Sequence, residues 1–265
     1  MHELSSALAA DRVIRAYERE LVESDWLDSW HIFGYGEDAT PADASFGVLV
    51  VHDDDIFPPE AGFPTHYHEH MEVIAWVVTG ALEHRDLVGG HATARPGQPM
   101  RMSAGTGISH SEMNPTRDPA RVILMWIVPN ESVEPSFEVA DVRSALANRE
   151  MFLVASGVRK APLHLHQPAA ELWAGVLDPT TCVVLPAAPF LHAFVVDGYV
   201  TVGEKDADGP IVLAAGDSLR LLNQPARVLR AGHAGATVLV WAMTEPTSWV
   251  NPGEIVPARI PLLTP

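Results

Sequence analysis

Thr65-His66-Tyr67-His68-Glu69-His70-Met71-Glu72 and, further along, Gly105-Thr106-Gly107-Ile108-Ser109-His110-Ser111-Glu112 bracket the stretch around which the rest of the chain is arranged. Six of the histidines lie between residues 64 and 112. In an extended strand alternate side chains share a face, so His66 and His68 point one way together, and so do His110 and Glu112. Two such pairs facing each other offer three imidazoles and a carboxylate, a ligand set suited to a divalent first-row metal with open positions, as in oxygen-using non-haem iron sites. Gly105 and Gly107 let the backbone turn tightly just before His110. Glu72 and His70 share the His66 parity if the strand runs on regularly, so Glu72 is the alternative carboxylate, and Glu112 ranks first because it sits beside His110.

Outward from this stretch the chain reads as many short strands. Apolar, β-branched runs at 46–52, 73–79, 121–128, 181–185, 190–196, 211–214 and 237–243 alternate with Gly, Pro and Asp, the pattern of an all-β barrel or sandwich. Residues 1–24 are the exception, predicted as a helix with Asp11 as N-cap and Val13, Ile14, Tyr17 and Leu21 at helical spacing. Residues 130–150 break the strand rhythm at Pro135, and a short helical pattern through Val139, Val142 and Leu146 marks the best linker candidate.

A repeat spans that linker. Val77-Val78-Thr79-Gly80 matches Val195-Val196-Asp197-Gly198, and Pro96-Gly97-Gln98-Pro99-Met100-Arg101-Met102 matches Ala215-Gly216-Asp217-Ser218-Leu219-Arg220-Leu221, at nearly one offset. At that offset His66, His68 and Glu72 become Val184, Pro186 and Phe190, and His110 and Glu112 become Leu229 and Ala231. Every candidate ligand is confined to the first copy, which favours a dedicated site over histidines that merely suit the scaffold.

The remaining candidates carry blander expectations. His84 and His91 flank the Gly89-Gly90 turn and read as solvated loop residues. His164 and His166 form a second His-x-His pair, but no further converging ligands can be named for a metal there. His192 and His233 read as structural, and Cys182 as a buried thiol without a partner. Trp76, on the His66 parity, is either a pocket wall or plain barrel core. No phosphate-binding loop and no Gly-x-Ser-x-Gly elbow is present, so metal chemistry is the one catalytic signal.

Bulk properties narrow the class further. The 265 residues are 47% hydrophobic and 19% charged, with no apolar run approaching a membrane span. A formal charge of -17, with Lys160 and Lys205 the only lysines, disfavours direct nucleic-acid binding. The acidic start without an apolar core shows no secretory signal, and one cysteine excludes an internal disulfide, so a cytoplasmic protein is expected.

The stretches Trp26-Leu27-Asp28-Ser29-Trp30-His31-Ile32-Phe33, Thr65 to Glu72, Gly80-Ala81-Leu82-Glu83-His84-Arg85-Asp86 and Met102 to Glu112 resemble the pirin family of the cupin superfamily. The resemblance is specific over most of 26–130 and diffuse beyond. It implies an all-β bicupin: an N-terminal extension at 1–25, a metal-bearing barrel at 26–135, a linker at 136–150 and a metal-free barrel at 151–265. It implies metal ligation by His66, His68, His110 and Glu112, usually of Fe(II), with another divalent first-row metal as the alternative. Similarity to bacterial pirin-like quercetin 2,3-dioxygenases implies an oxidoreductase taking a flavonol-like aromatic substrate and O2, with Glu112 as the catalytic base. A monomer with neither nucleic-acid nor membrane partners is expected. The alternative is a metal-bearing regulatory or redox-sensing pirin acting through a protein partner. The chain departs from the family pattern at Tyr67, where proline commonly stands, and at His70, both at the expected mouth of the site.

Overall fold

Alternation sets the layers of this molecule. Along the strand Glu72–Thr79, Val73, Ala75 and Val77 turn to the inside of one barrel, while Ile74 and Trp76 pack with residues of the second half of the chain. The computed structural model describes residues 11–34, 44–203 and 209–247. Its first strands are β1 (Arg12–Ile14), β2 (Glu20–Ser24), β3 (Leu27–His31), β4 (Leu49–Phe57), β5 (Gly62–His68), β6 (Glu72–Thr79), β7 (Leu82–Asp86) and β8 (His91–Ala94). There follow β9 (Met100–Ser103), β10 (Ile108–Met113), β11 (Ala120–Ile127), β12 (Ser136–Val139) and a short helix α1 (Arg143–Ala147). The second half holds β13 (Phe152–Ser156), β14 (Leu163–His164), β15 (Ala170–Leu177), β16 (Cys182–Val184), β17 (Phe190–Val202), β18 (Ile211–Ala214), β19 (Ser218–Leu222) and β20 (Val228–Met243).

The first half forms two sheets, β12-β9-β6-β11-β4-β3-β2 and β5-β10-β7-β8, which face each other across a core of Phe57, Ala75, Val77, Leu82, Val122 and Leu124. The second half forms one large sheet, β1-β19-β17-β20-β15-β13-β14, with β16 on β20 and β18 on β17, around Leu191, Val195, Leu213, Leu219, Val238 and Val240. A third cluster, including Ile74, Trp76, Ile123 and Met125 from the first half and Leu172, Phe194 and Trp241 from the second, joins the two. The architecture is the expected all-β bicupin. Among the described residues no helix is long and apolar enough to cross a membrane.

The repeat is visible in the pairing. β6 lies between β9 and β11 as β17 lies between β19 and β20. Its turn glycines adopt matching left-handed angles: φ is 74° at Gly80 and 77° at Gly198, 81° at Gly97 and 85° at Gly216. Positive φ is cheap for glycine alone, so the same turns keep the same residue in both copies. The seven predicted strands are present, those at 190–196 and 237–243 as parts of the longer β17 and β20.

The helix expected over 1–24 is not found in its described part. Arg12–Ile14 instead pairs antiparallel with Ser218–Arg220, a single 3-10 turn covers Ala16–Glu18, and Glu20–Ser24 pairs with β3. The sheet edge at β19 offers backbone partners and buries Ile14, and the Asp217 carboxylate accepts hydrogen bonds from the Ala16 backbone at 2.8 Å and the Arg15 guanidinium at 2.8 Å. Tertiary pairing overrides the local periodicity. Residues 1–10 lie outside the described residues. Cys182, expected to be buried, is exposed on β16.

Candidate metal centre

β10 runs between β5 and β7, and register decides what meets there. His110 lies opposite His66 on β5 and opposite Asp86 on β7, and Glu112 lies opposite Phe63 and His84. A bulge between His110 and Glu112 in the β5 pairing changes the aim of the carboxylate relative to the imidazole. The ring centroids of His66 and His110 are 4.4 Å apart, those of His66 and His68 4.7 Å, and those of His68 and His110 5.1 Å.

One ligand atom from each of His66, His68 and His110 falls within 4.8 Å of the other two. The structure therefore brings together the three predicted imidazoles. Glu112 belongs to an overlapping set with His110 and His84, and these two sets share only His110. The other predicted carboxylate, Glu72, points elsewhere. Its two oxygens accept hydrogen bonds from the backbone N–H and the ring Nδ1–H of His166, at 2.9 and 3.0 Å.

Hydrogen bonding leaves one nitrogen of each imidazole free for a ligand. His66 donates its Nδ1–H to the Pro64 carbonyl at 2.7 Å, which leaves Nε2 as the lone-pair nitrogen. The Nε2 atoms of His68 and His110 are buried and meet no hydrogen-bond partner among the described residues. Buried polar atoms are ordinarily satisfied, so a cluster of such nitrogens suits a cation that takes lone pairs.

Electrostatics agree with that reading. Burial holds all three imidazoles below the ordinary histidine range, His68 down to about 3, so they are neutral and ligand-competent at pH 7. Burial pushes the Glu112 carboxyl up to about 7. The residues present thus fit a divalent metal.

Two neighbours were not legible as site residues. His84 is buried rather than solvated, with its Nδ1 3.4 Å from His110 Nδ1, its Nε2 3.2 Å from the Asp86 carboxylate and its ring stacked on Phe137 at 4.0 Å. Burial would raise the Asp86 carboxyl, but hydrogen bonds from Gly90, His84 and Val88 outweigh it and hold the group below the usual range. The signal that could have found His84 is the pairing of β7 with β10, which sets His84 opposite Glu112. Trp126 stands edge-on to His68 at 4.8 Å, whereas Trp76 belongs to the core between the two halves and not to the site.

The other histidines stay out of the cluster. His91 is exposed beside Glu83, His192 is buried against His52, and the His233 backbone donates to the Tyr199 hydroxyl. His164 engages Glu138 through its backbone. Tyr67 is half-exposed and donates its hydroxyl to Glu69.

Comparisons with known proteins identify the family. A pirin family model matches residues 13–127. A Mycobacterium tuberculosis protein provisionally named quercetin 2,3-dioxygenase is 37% identical over 239 residues, covering 89% of this chain and 96% of the relative. The chain belongs to the pirin family. A quercetin 2,3-dioxygenase of Escherichia coli is 33% identical to this pirin over 207 residues, covering 77% of this chain and 88% of that protein. The crystal structure of the bacterial pirin YhhW of Escherichia coli in complex with nickel(II) superposes with a TM-score of 0.79 at 31% identity, covering 89% of this chain and all of that one.

Proposed function

We propose that this pirin is a metal-dependent dioxygenase that opens a flavonol such as quercetin with O2, using Fe(II) held by His66, His68, His110 and Glu112. The observation that carries the reading is the convergence of three neutral imidazoles whose Nε2 atoms are left to a cation, in a family whose relatives are named quercetin 2,3-dioxygenases. Glu112, on the strand it shares with His110 and in the overlapping ligand set with it, would supply the carboxylate. Bound iron supplies Lewis acidity toward the substrate oxygen and redox capacity toward O2. Glu112 accepts the 3-hydroxyl proton of the flavonol as general base. Trp126, edge-on to His68, gives an aromatic substrate an apolar surface to pack against. The chemistry belongs to the 26–135 barrel, since the 151–265 copy has apolar residues at the repeat-equivalent positions.

The test is anaerobic reconstitution with Fe(II), then addition of quercetin and air-saturated buffer while the flavonol absorbance band is followed. Loss of the band with one O2 consumed per flavonol is expected. Iron-loaded protein that leaves quercetin unchanged overturns the flavonol reading and leaves the regulatory alternative.

A further inference from the structure

His84 and Asp86 lie beside the candidate ligands without being among them. They occupy alternate positions of β7, so both side chains lie on one face of the sheet, and in the neighbouring β10 Asp86 is the register partner of His110 and His84 that of Glu112. Asp86 is rigidly placed. Its Oδ1 accepts backbone N–H groups from Val88 at 2.9 Å and Gly90 at 2.7 Å, and its backbone N–H donates to the Gly90 carbonyl at 2.9 Å. The other oxygen, Oδ2, faces His84 Nε2 at 3.2 Å. Phe137, stacked on the His84 ring with an interplanar angle of 7°, fixes the plane of the imidazole.

The polarity of the contacts follows from that placement. A carboxylate only accepts, so the proton between Asp86 and His84 belongs to His84 Nε2. A neutral His84 then has a bare Nδ1, which must be an acceptor. The atom 3.4 Å from it is His110 Nδ1, which must therefore carry a hydrogen. That leaves His110 Nε2 with its lone pair, buried and without a protein donor among the described residues, in a ring that clusters with His66 and His68.

We propose that Asp86 and His84 are positioning residues that lock His110 in its Nδ1–H tautomer, so that its Nε2 lone pair is presented to the metal. The inference rests on the reading that His110 is a ligand and adds how its tautomer and ring orientation are set. The lock runs in series: the Asp86 carboxylate accepts from His84, and His84 accepts from His110. Outer hydrogen bonds of this kind typically change metal affinity about 10- to 100-fold. The lock also gives His84 a role other than ligation, although it shares a possible ligand set with His110 and Glu112.

The test reverses the polarity of the lock. In Asp86→Asn, an amide oxygen kept on Val88 and Gly90 turns its NH2 toward His84 Nε2. That drives His84 to the Nδ1–H form and His110 to the Nε2–H form. Long-range 15N–1H NMR of the metal-free full-length protein reads both tautomers, and Ni2+ competition against a chelator reads affinity. The wild type is expected to show Nδ1–H on His110, and Asp86→Asn to show Nε2–H with Ni2+ binding weakened about 10- to 100-fold.

His84→Gln supplies an amide oxygen to accept from His110 and is expected to hold Ni2+ close to wild type, while His84→Leu falls to the level of Asp86→Asn, about 10- to 100-fold weaker. This pair carries the test if Asp86→Asn does not fold. His110 in the Nε2–H form in the wild type overturns the lock, as does equal Ni2+ affinity in His84→Leu and His84→Gln. Full Ni2+ stoichiometry in His110→Ala would instead overturn the ligand assignment beneath it, a result separable from the tautomer measurement.

Discussion

Glu112 and Glu72 show how two buried carboxylates on strands of the two facing sheets acquire different work. Glu72 has both oxygens engaged by His166, a contact between the two halves of the molecule. Among the described residues Glu112 has no comparable hydrogen-bond partner, and burial raises its pKa. Glu112→Gln is therefore expected to abolish stoichiometric metal retention while leaving the melting temperature of the metal-free protein close to wild type. Glu72→Gln should keep the metal and lose about 1–3 kcal/mol of stability, because the backbone and ring donors of His166 lose a charged acceptor. Metal analysis beside urea unfolding separates the two, and metal loss in Glu72→Gln would sink the assignment. At this scale His66, His68 and His110 were legible because alternation and spacing are local. Glu72 and Trp76 were placed on the His66 face by the same rule, which failed because the chain turns at His70 with φ 51° and passes from one sheet to the other. Parity does not survive a corner.

Among the elements, β5 and β10 bring the candidate ligands together, and their backbones approach closely at Gly62. It pairs with Met113, has φ 153°, and a Cβ placed there would lie 2.2 Å from the Glu112 carbonyl oxygen and 2.7 Å from the Met113 Cα. Those are backbone atoms, so the clash cannot be relieved by a side chain moving aside. Gly62→Ala should push the end of β10 outward, cost about 1–3 kcal/mol as overpacking does, and weaken metal binding through displacement of Glu112. Thermal unfolding and Ni2+ titration of the variant check this, and wild-type values in both would show that β5 and β10 do not need so close an approach. Strands such as β4, β6 and β11 were legible because their apolar, β-branched runs stand out between turn residues. β1 was not, since a three-residue strand whose partner lies some two hundred residues away carries no local period, and Val13 and Ile14 fit a helical pattern equally well. β12 was hidden for the same reason, inside what reads as a linker, and it pairs with β9.

Over the whole molecule these two short strands are counterparts. β12 precedes the second copy yet completes the first sheet at β9, and β1 precedes the first copy yet completes the second at β19, the repeat-equivalent strand. The repeat was legible from its turn glycines, but this exchange depends on which sheet edges are open and was not. Between the exchanged strands the two halves share a buried core that contains a histidine pair, His52 on β4 and His192 on β17, with His192 Nε2 3.2 Å from His52 Nδ1. Burial pulls His52 down to about 3, opposed by Asp54 and aided by Arg19 and Arg220, and burial, His52 and Arg220 hold His192 well below its ordinary value. Both are neutral in the folded protein, while in the unfolded chain each takes a proton near pH 6.5. A depressed histidine pKa means that the folded state binds fewer protons below that point, so stability is complete above about pH 7 and falls as the solution is acidified. Between pH 7 and pH 5 the loss amounts to roughly 2 kcal/mol for each histidine. A His52→Gln, His192→Gln double variant keeps a hydrogen-bonding pair that does not titrate and leaves the metal centre untouched. Urea unfolding of the metal-free proteins at the two pH values should show the variant losing roughly 4 kcal/mol less than wild type on acidification. The site histidines titrate identically in both proteins and cancel in that comparison, so equal pH dependence would mean that the joint between the two halves does not hold its histidines neutral.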